Sequence, residues 1–177
     1  MPPEVVSEEP ESTLAGSRMV EELLAVHRPL RADIVVLGCA LEILTDATGD
    51  HSAVPEMING LTIADFVWQL RLNCDYYCNV LTAHHSLEDH RMFPVMLRTF
   101  PELASAIERL YAEHADVVDL IRETRSATAN LTTEPDTVDR ARVAVSVLAD
   151  HLTAHLDFEE STLFPYFRRM DSDWHYG

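Results

Sequence analysis

Apolar residues recur at steps of three and four positions along four long stretches of the chain, which is the pattern of helices that bury one face. These stretches run from 20 to 41, from 66 to 87, from 103 to 121 and from 138 to 159. Polar segments at 45–60 and 127–135 contain Gly or Pro and predict loops. Ser17 can cap the first helix, and Thr62 with Asp65 resembles a capping box for the second. The pattern predicts an all-α fold, an up-down-up-down four-helix bundle.

The composition fits one helical domain. The chain has 177 residues, of which 47% are hydrophobic and only 5 are Gly, and this suits a single buried core. We expect the bundle over residues 17–170, an acidic disordered tail over 1–16 and a C-terminal tail over 171–177.

Charge and hydropathy exclude several classes of partner. The net charge of −17 argues against nucleic acid and anionic membranes, because both require a basic surface. No apolar run approaches the about 20 residues that span a bilayer, and the first residues do not resemble a secretory signal. The cysteines, Cys39, Cys74 and Cys78, form no disulfide or zinc pattern, which predicts reduced thiols and a cytoplasmic location. We expect a monomer or a weak oligomer.

One motif occurs twice, as HHSLEDHRMFP at 84–94 and as HLDFEESTLFP at 155–165. Each copy has a His, acids four and five residues later, and a Phe-Pro pair at its end. A hydrophobic core does not need a His and a Glu on one stripe. The helices carry one histidine each at a position that otherwise repeats apolar residues, and these are His27, His84, His114 and His155.

These four histidines, with Glu88 and Glu159 one turn beyond two of them, form a set that is costly to bury. A buried polar group without a partner costs roughly 1–3 kcal/mol, and the sum over six groups is comparable to a domain's stability of about 5–15 kcal/mol. Two explanations offset the cost: the groups hydrogen-bond to one another, or they bind metal. Residues at i and i+4 share a helix face, so each His–Glu pair can reach one ion or two, and the set suits two octahedral first-row ions better than one tetrahedral zinc.

These segments resemble the hemerythrin-like (HHE cation-binding) family, and the actinobacterial hemerythrin-like proteins in particular. The matching segments are VHRPLRADI around His27, LYAEHADVV around His114 and both copies of the repeated motif. The resemblance implies a four-helix bundle with two iron ions in an oxo- or hydroxo-bridged di-iron centre. It implies metal ligation by His27, His84, Glu88, His114, His155 and Glu159, with the two glutamates bridging.

The sequence departs from the oxygen-carrying hemerythrins, which have an HxxxH pair on the third helix. Leu110 and Val118 flank His114 at four residues, so that helix offers one histidine. The resemblance therefore favours turnover of a small oxidant over reversible oxygen carriage: hydrogen peroxide breakdown, nitric oxide peroxidase chemistry, or both. Two alternatives stay open, namely a sensor or store that binds dioxygen, nitric oxide or iron without turnover, and a metal-free interaction scaffold.

Further residues have weaker claims. His151 and Tyr77 are candidates for an extra ligand or for a contact that orients one. A core tyrosine with a satisfied hydroxyl is the favoured interpretation of Tyr77, and Val80 at the position matching His151 in the first motif copy argues against His151 as a ligand. Asp89 and Glu160 can orient a histidine N–H, or they can be solvated acids. Arg31 can pair with such an acid. His85 and His90 are expected at the helix surface, facing away from the stripe of His84.

Overall fold

The computed structural model describes residues 12–49 and 62–171, and every regular element within these ranges is helical. Four long helices form the framework: α1 (Leu14–Gly49), α2 (Ile63–Leu87), α4 (Ala104–Ala129) and α5 (Pro135–Phe167). A π-helical turn (Glu88–Met92), a short helix α3 (Phe93–Thr99) and a 3-10 turn (Pro101–Leu103) join α2 to α4.

The long helices form the predicted bundle. Each packs mainly against two others, in the cyclic order α1, α2, α4, α5. The second half of α1 shares an apolar cluster with the first half of α2, and the second half of α4 shares it with the first half of α5. Successive long helices are therefore antiparallel, and α2 and α5 are parallel and diagonally opposed.

The helix ends follow local chemistry, and two sequence predictions about them are wrong. Thr62 and Asp65 form the expected capping box of α2. Helix α1, however, begins at Leu14 instead of after Ser17, and the Thr13 hydroxyl accepts a hydrogen bond from the Gly16 N–H. This start lies inside the segment 1–16 that was predicted as a tail, whose residues 1–11 are outside the described ranges.

The first loop also begins later than predicted, because α1 continues to Gly49; the segment 50–61 is outside the described residues, as is 172–177 of the C-terminal tail. The N-terminal turn of α1 lies against the end of α5. A Cβ on Gly16 would lie 2.1 Å from the Phe167 carbonyl oxygen, so this close approach requires glycine.

Two apolar clusters fill the bundle. The large cluster consists of the buried apolar residues within 30–44, 67–81 and 117–156. The small cluster consists of those within 19–23, 92–110 and 163–170. On α1, α2 and α4 the predicted ligand histidine lies between the residues of one cluster and those of the other. On α5, His155 and Glu159 lie at this boundary. The core is thus interrupted by one polar layer.

Candidate metal centre

All six predicted ligands meet in this polar layer. Each is buried, and His27 and Glu159 are 0% exposed. They come from the four long helices and from the π-helical turn, which begins at Glu88. The layer is therefore a property of the tertiary fold, because no single helix brings more than two of these groups together.

The first group of potential ligand atoms belongs to His27, His84, Glu88 and Glu159, whose atoms lie within 4.8 Å of one another. The Nε2 atoms of the two histidines are 3.1 Å apart, and Glu88 Oε1 is 3.2 Å from His84 Nε2. Glu159 Oε2 lies 3.5 Å from His27 Nε2. Two nitrogens that bind one ion at about 2.1 Å and at a right angle are about 3 Å apart, so the spacing of this pair suits a shared cation.

The second group contains the other histidine pair, and its Nε2 atoms also face each other. His114 Nε2 and His155 Nε2 are 3.1 Å apart. The other oxygen of Glu88, Oε2, lies 3.7 Å from His114 Nε2, and Glu159 Oε2 lies 3.9 Å from His155 Nε2. The two carboxylates therefore stand between the histidine pairs, and Glu88 directs a different oxygen toward each.

A carboxylate holds the outer nitrogen of three of the histidines. His27 Nδ1 donates to Glu160 Oε1 at 2.8 Å, and His114 Nδ1 donates to Asp89 Oδ1 at 2.7 Å. His155 Nδ1 donates to Glu113 Oε2 at 2.9 Å. Since a neutral imidazole carries one N–H, each of these rings presents a bare Nε2 lone pair to the interior.

Basic side chains hold the orienting acids in turn. Arg31 binds Glu160 at 3.1 Å and Asp157 at 2.8 Å, which is the pairing anticipated for this arginine. Arg109 Nε donates to Glu113 at 2.7 Å. This fixes the imidazole orientations as the outer contacts of a metal site do.

Burial keeps the imidazoles neutral and resists ionisation of the carboxyl groups. Burial, with lesser contributions from Arg31 and His155, lowers the pKa of His27 to about 3. Burial also lowers the pKa of His155 to about 4, against the opposing hydrogen bond to Glu113. Burial and then the charge of Glu159 raise the pKa of Glu88, and burial raises the pKa of Glu159 to about 8, against an opposing interaction with Glu88. Neutral imidazoles are the form that binds metal.

The six predicted ligands fit a bound metal, because several of their polar atoms have no hydrogen-bond partner within the part of the protein that the structure describes. All four carboxyl oxygens of Glu88 and Glu159 are buried without a hydrogen-bond partner among the described residues. Without a cation, this pair of acids relieves its repulsion only by retaining a proton. With both Nδ1 atoms donating to carboxylates, the neutral rings of His114 and His155 turn two acceptor atoms toward each other. Of the two explanations for the buried set, mutual hydrogen bonding leaves the four carboxyl oxygens without partners in the described chain, whereas a cation would satisfy them.

His85 is the functional candidate that sequence reasoning missed. It was expected at the surface, but it is only 4% exposed, and its ring stacks on that of His114 with centroids 4.1 Å apart. Its ligand nitrogen lies within 4.8 Å of those of His114 and His155. The signal was present in the doubled HH of the first motif copy, but helical periodicity assigns only one of two adjacent residues to a stripe.

The other weak candidates are outside the two groups of potential ligand atoms. The Tyr77 hydroxyl donates to the Leu30 carbonyl at 3.1 Å, within the large apolar cluster, so it is the satisfied core tyrosine. His151 is half-buried, and its Nε2 atom has no hydrogen-bond partner among the described residues. His90 is exposed as predicted, and its Nδ1 donates to the Ser86 carbonyl at 2.7 Å.

A small apolar cavity reaches the first group. Its volume is about 220 Å³, and it lies between α1 and the end of α2. Its wall includes His84 and Glu88, and its outer lining includes the exposed side chains of Val26 and Leu87. This cavity can admit a small uncharged molecule to one side of the polar layer.

A four-helix bundle with a buried layer of convergent imidazoles and carboxylates defines a class of metal-binding helical proteins. The model of the hemerythrin HHE cation-binding domain matches residues 18–167, and the chain belongs to this family. No curated protein and no solved structure gives a significant match. Within the described residues, no helix is long and apolar enough to cross a membrane.

Proposed function

We propose that this protein holds two iron ions, one at each histidine pair, and that it binds and turns over a small oxidant. The observation that carries the proposal is the meeting of His114 and His155, whose Nε2 atoms lie 3.1 Å apart while both Nδ1 atoms donate to carboxylates. Two lone pairs at this distance repel each other unless a cation lies between them. The Nε2 atoms of His27 and His84 have the same separation, and His27 Nδ1 also donates to a carboxylate, that of Glu160.

Two ions are favoured over one by the position of Glu88. Its Oε1 atom is 3.2 Å from His84 Nε2, and its Oε2 atom is 3.7 Å from His114 Nε2. A carboxylate whose two oxygens face different nitrogen pairs suits a bridge between ions. Imidazole and carboxylate ligands suit iron among first-row metals.

A bound iron pair would supply redox chemistry toward hydrogen peroxide or nitric oxide at positions that the protein leaves free. The chain's own residues would perform the remaining tasks. The apolar cavity beside His84 and Glu88 would admit the small molecule, and the surrounding clusters would exclude bulk water. Peroxide dismutation requires no external donor, since two hydrogen peroxide molecules give one dioxygen and two waters.

The test begins with protein from iron-replete cells, in which iron content and near-ultraviolet absorption are measured before peroxide is added. About two irons per chain with sustained dioxygen release is the expected result. Iron with a spectral response to peroxide or nitric oxide, but without turnover, would instead identify a sensor or store. Absence of iron would refute both functions.

A matched pair of variants tests whether the iron binds at the proposed site. Glu88→Gln should lose the iron pair, because it removes the charge that faces both histidine pairs. Glu108→Gln makes the same chemical change at an exposed position of α4 and should retain both ions. Equal iron content in the two variants would contradict the assignment of Glu88 as a bridge.

A further inference from the structure

The second group of potential ligands contains His114 and His155, and helix α4 contributes only one histidine to it. The residues one turn before and after His114 are Leu110 and Val118. Leu110 is fully buried in the small cluster, and Val118 is 48% exposed. Neither can bind a metal, so α4 supplies one imidazole to this group.

His85 occupies the space beside that group. Its ring stacks on His114 at 4.1 Å between centroids with an interplanar angle of 13°, and it meets His155 edge to face at 5.2 Å. The potential ligand atoms of His85, His114 and His155 all lie within 4.8 Å of one another. Opposite nitrogens on one ion are about 4.2 Å apart, so the separations of these three atoms are close to those of ligands that share one cation.

The hydrogen bonding of His85 differs from that of an ordinary core histidine. A buried imidazole normally has hydrogen-bond partners for its nitrogens. The Nε2 atom of His85 is buried and has no hydrogen-bond partner among the described residues. His90, five residues later, shows the ordinary alternative, because it is exposed and its Nδ1 donates to a backbone carbonyl.

We propose that His85 is a third nitrogen ligand of the ion held by His114 and His155. It takes the role that a second histidine on α4 would otherwise have, but from the neighbouring helix α2. This assignment rests on the proposed function, since it requires that the second group holds an ion.

The proposal makes the two ions unequal. The ion at His114 and His155 has three imidazoles, whereas the ion at His27 and His84 has two. The apolar cavity borders His84 and Glu88, which belong to the latter group. The small molecule should therefore bind at the ion with fewer imidazoles, next to the cavity.

The test is an anaerobic titration of metal-free protein with Fe(II), followed by near-ultraviolet absorption after oxidation. The wild type should bind two equivalents. The His85→Gln variant should bind the first equivalent as the wild type does and the second at least about tenfold more weakly, because loss of one ligand removes a direct metal contact. The control, His90→Gln, should match the wild type. Added imidazole should restore the second equivalent in a His85→Ala variant.

Two results would overturn the proposal. One is a His85→Gln variant that binds both equivalents of Fe(II) with wild-type affinity. If only its response to peroxide changed, His85 would be a contact of the bound molecule and not a metal ligand. The other comes from the wild type and does not depend on folding of any variant: Co(II)-loaded protein should show five hyperfine-shifted imidazole N–H resonances, and four would exclude His85. A wild type that binds no metal refutes the proposed function itself, which distinguishes the two failures.

Discussion

Replacing Glu159 by glutamine separates what this side chain costs the metal-free protein from what it contributes to metal binding. Glu159 is 0% exposed, and neither carboxyl oxygen has a hydrogen-bond partner among the described residues. Burial raises its pKa, so folding without metal must either bury a charge or retain a proton. Glutamine has nearly the same shape and carries no charge. The metal-free variant should therefore be more stable than the metal-free wild type, although it loses a ligand.

The expected magnitude follows from the burial of this group. A carboxyl group whose pKa rises from 4.5 to about 8 on folding must retain a proton at pH 7, which costs about 1.4 kcal/mol per pH unit above 4.5, or about 3 kcal/mol. Glutamine avoids this cost, and 1 kcal/mol shifts Tm by about 2–4 °C for a domain of this size, so the metal-free variant should gain about 6–12 °C. A ligand at a hundred times its Kd stabilises by about 2.7 kcal/mol, or roughly 5–11 °C by the same conversion. The wild type should show this gain with Fe(II), and the variant should lose most of it.

The assay is thermal unfolding followed by circular dichroism, with and without Fe(II) under anaerobic conditions. Glu108→Gln is the control, because it makes the same substitution at an exposed position of α4. Its two unfolding curves should match those of the wild type. A Glu159→Gln variant that is less stable without metal, or that keeps the full stabilisation by Fe(II), would refute the reasoning.

Three further predictions concern the pH dependence, an orienting acid and the cavity. Burial lowers the pKa values of five buried histidines, His27, His84, His85, His114 and His155, below 6.5, to about 3 for His27 and about 4 for His155. The unfolded chain therefore binds more protons below pH 6.5, and the denaturant midpoint of the metal-free protein should fall as the pH is lowered from 6.5 toward 4. The raised carboxyl pKa values act oppositely above about pH 4.5 but involve only two groups; a midpoint that rises on acidification would contradict this. Asp89→Ala removes the acceptor of His114 Nδ1 and should weaken metal binding about 10–100-fold in a chelator competition, whereas unchanged affinity would show that the contact is dispensable. Val26→Trp should fill the cavity mouth and slow nitric oxide binding in stopped-flow measurements without changing metal content, and an unchanged rate would exclude this route.

The bundle and its polar layer were predictable because both follow from helical periodicity. Each long helix has one histidine at a position where its periodic pattern otherwise has an apolar residue. Such a side chain must face the interior, and all four are buried, namely His27, His84, His114 and His155. The i to i+4 spacing likewise places Glu88 beside His84, at 3.2 Å between Oε1 and Nε2. These relations depend on one helix at a time, so the sequence contains them directly.

The π-helical turn was not predictable from the sequence. The hydrogen-bond pattern widens after Glu88, because the Phe93 N–H donates to the Glu88 carbonyl, five residues earlier. An α-helical projection places adjacent residues about 100° apart, so it assigned His85 to the surface. The interior at this layer is wide enough to contain both histidines, because the layer must enclose two groups of ligands. That width depends on how four helices pack, which periodicity along one helix does not report.

The acids at the fifth position of each motif copy show why the two hairpins form one site. Asp89, from the first copy, accepts from His114 in the second hairpin, and Glu160, from the second copy, accepts from His27 in the first. Each histidine pair belongs to a single hairpin, but Asp89 and Glu160 each orient a histidine of the other hairpin, and Glu88 and Glu159 each face both histidine pairs. Neither hairpin therefore contains a complete half-site. Metal binding at either pair should be coupled to the docking of α1 and α2 on α4 and α5, because the first ion fixes the carboxylates that the second ion needs.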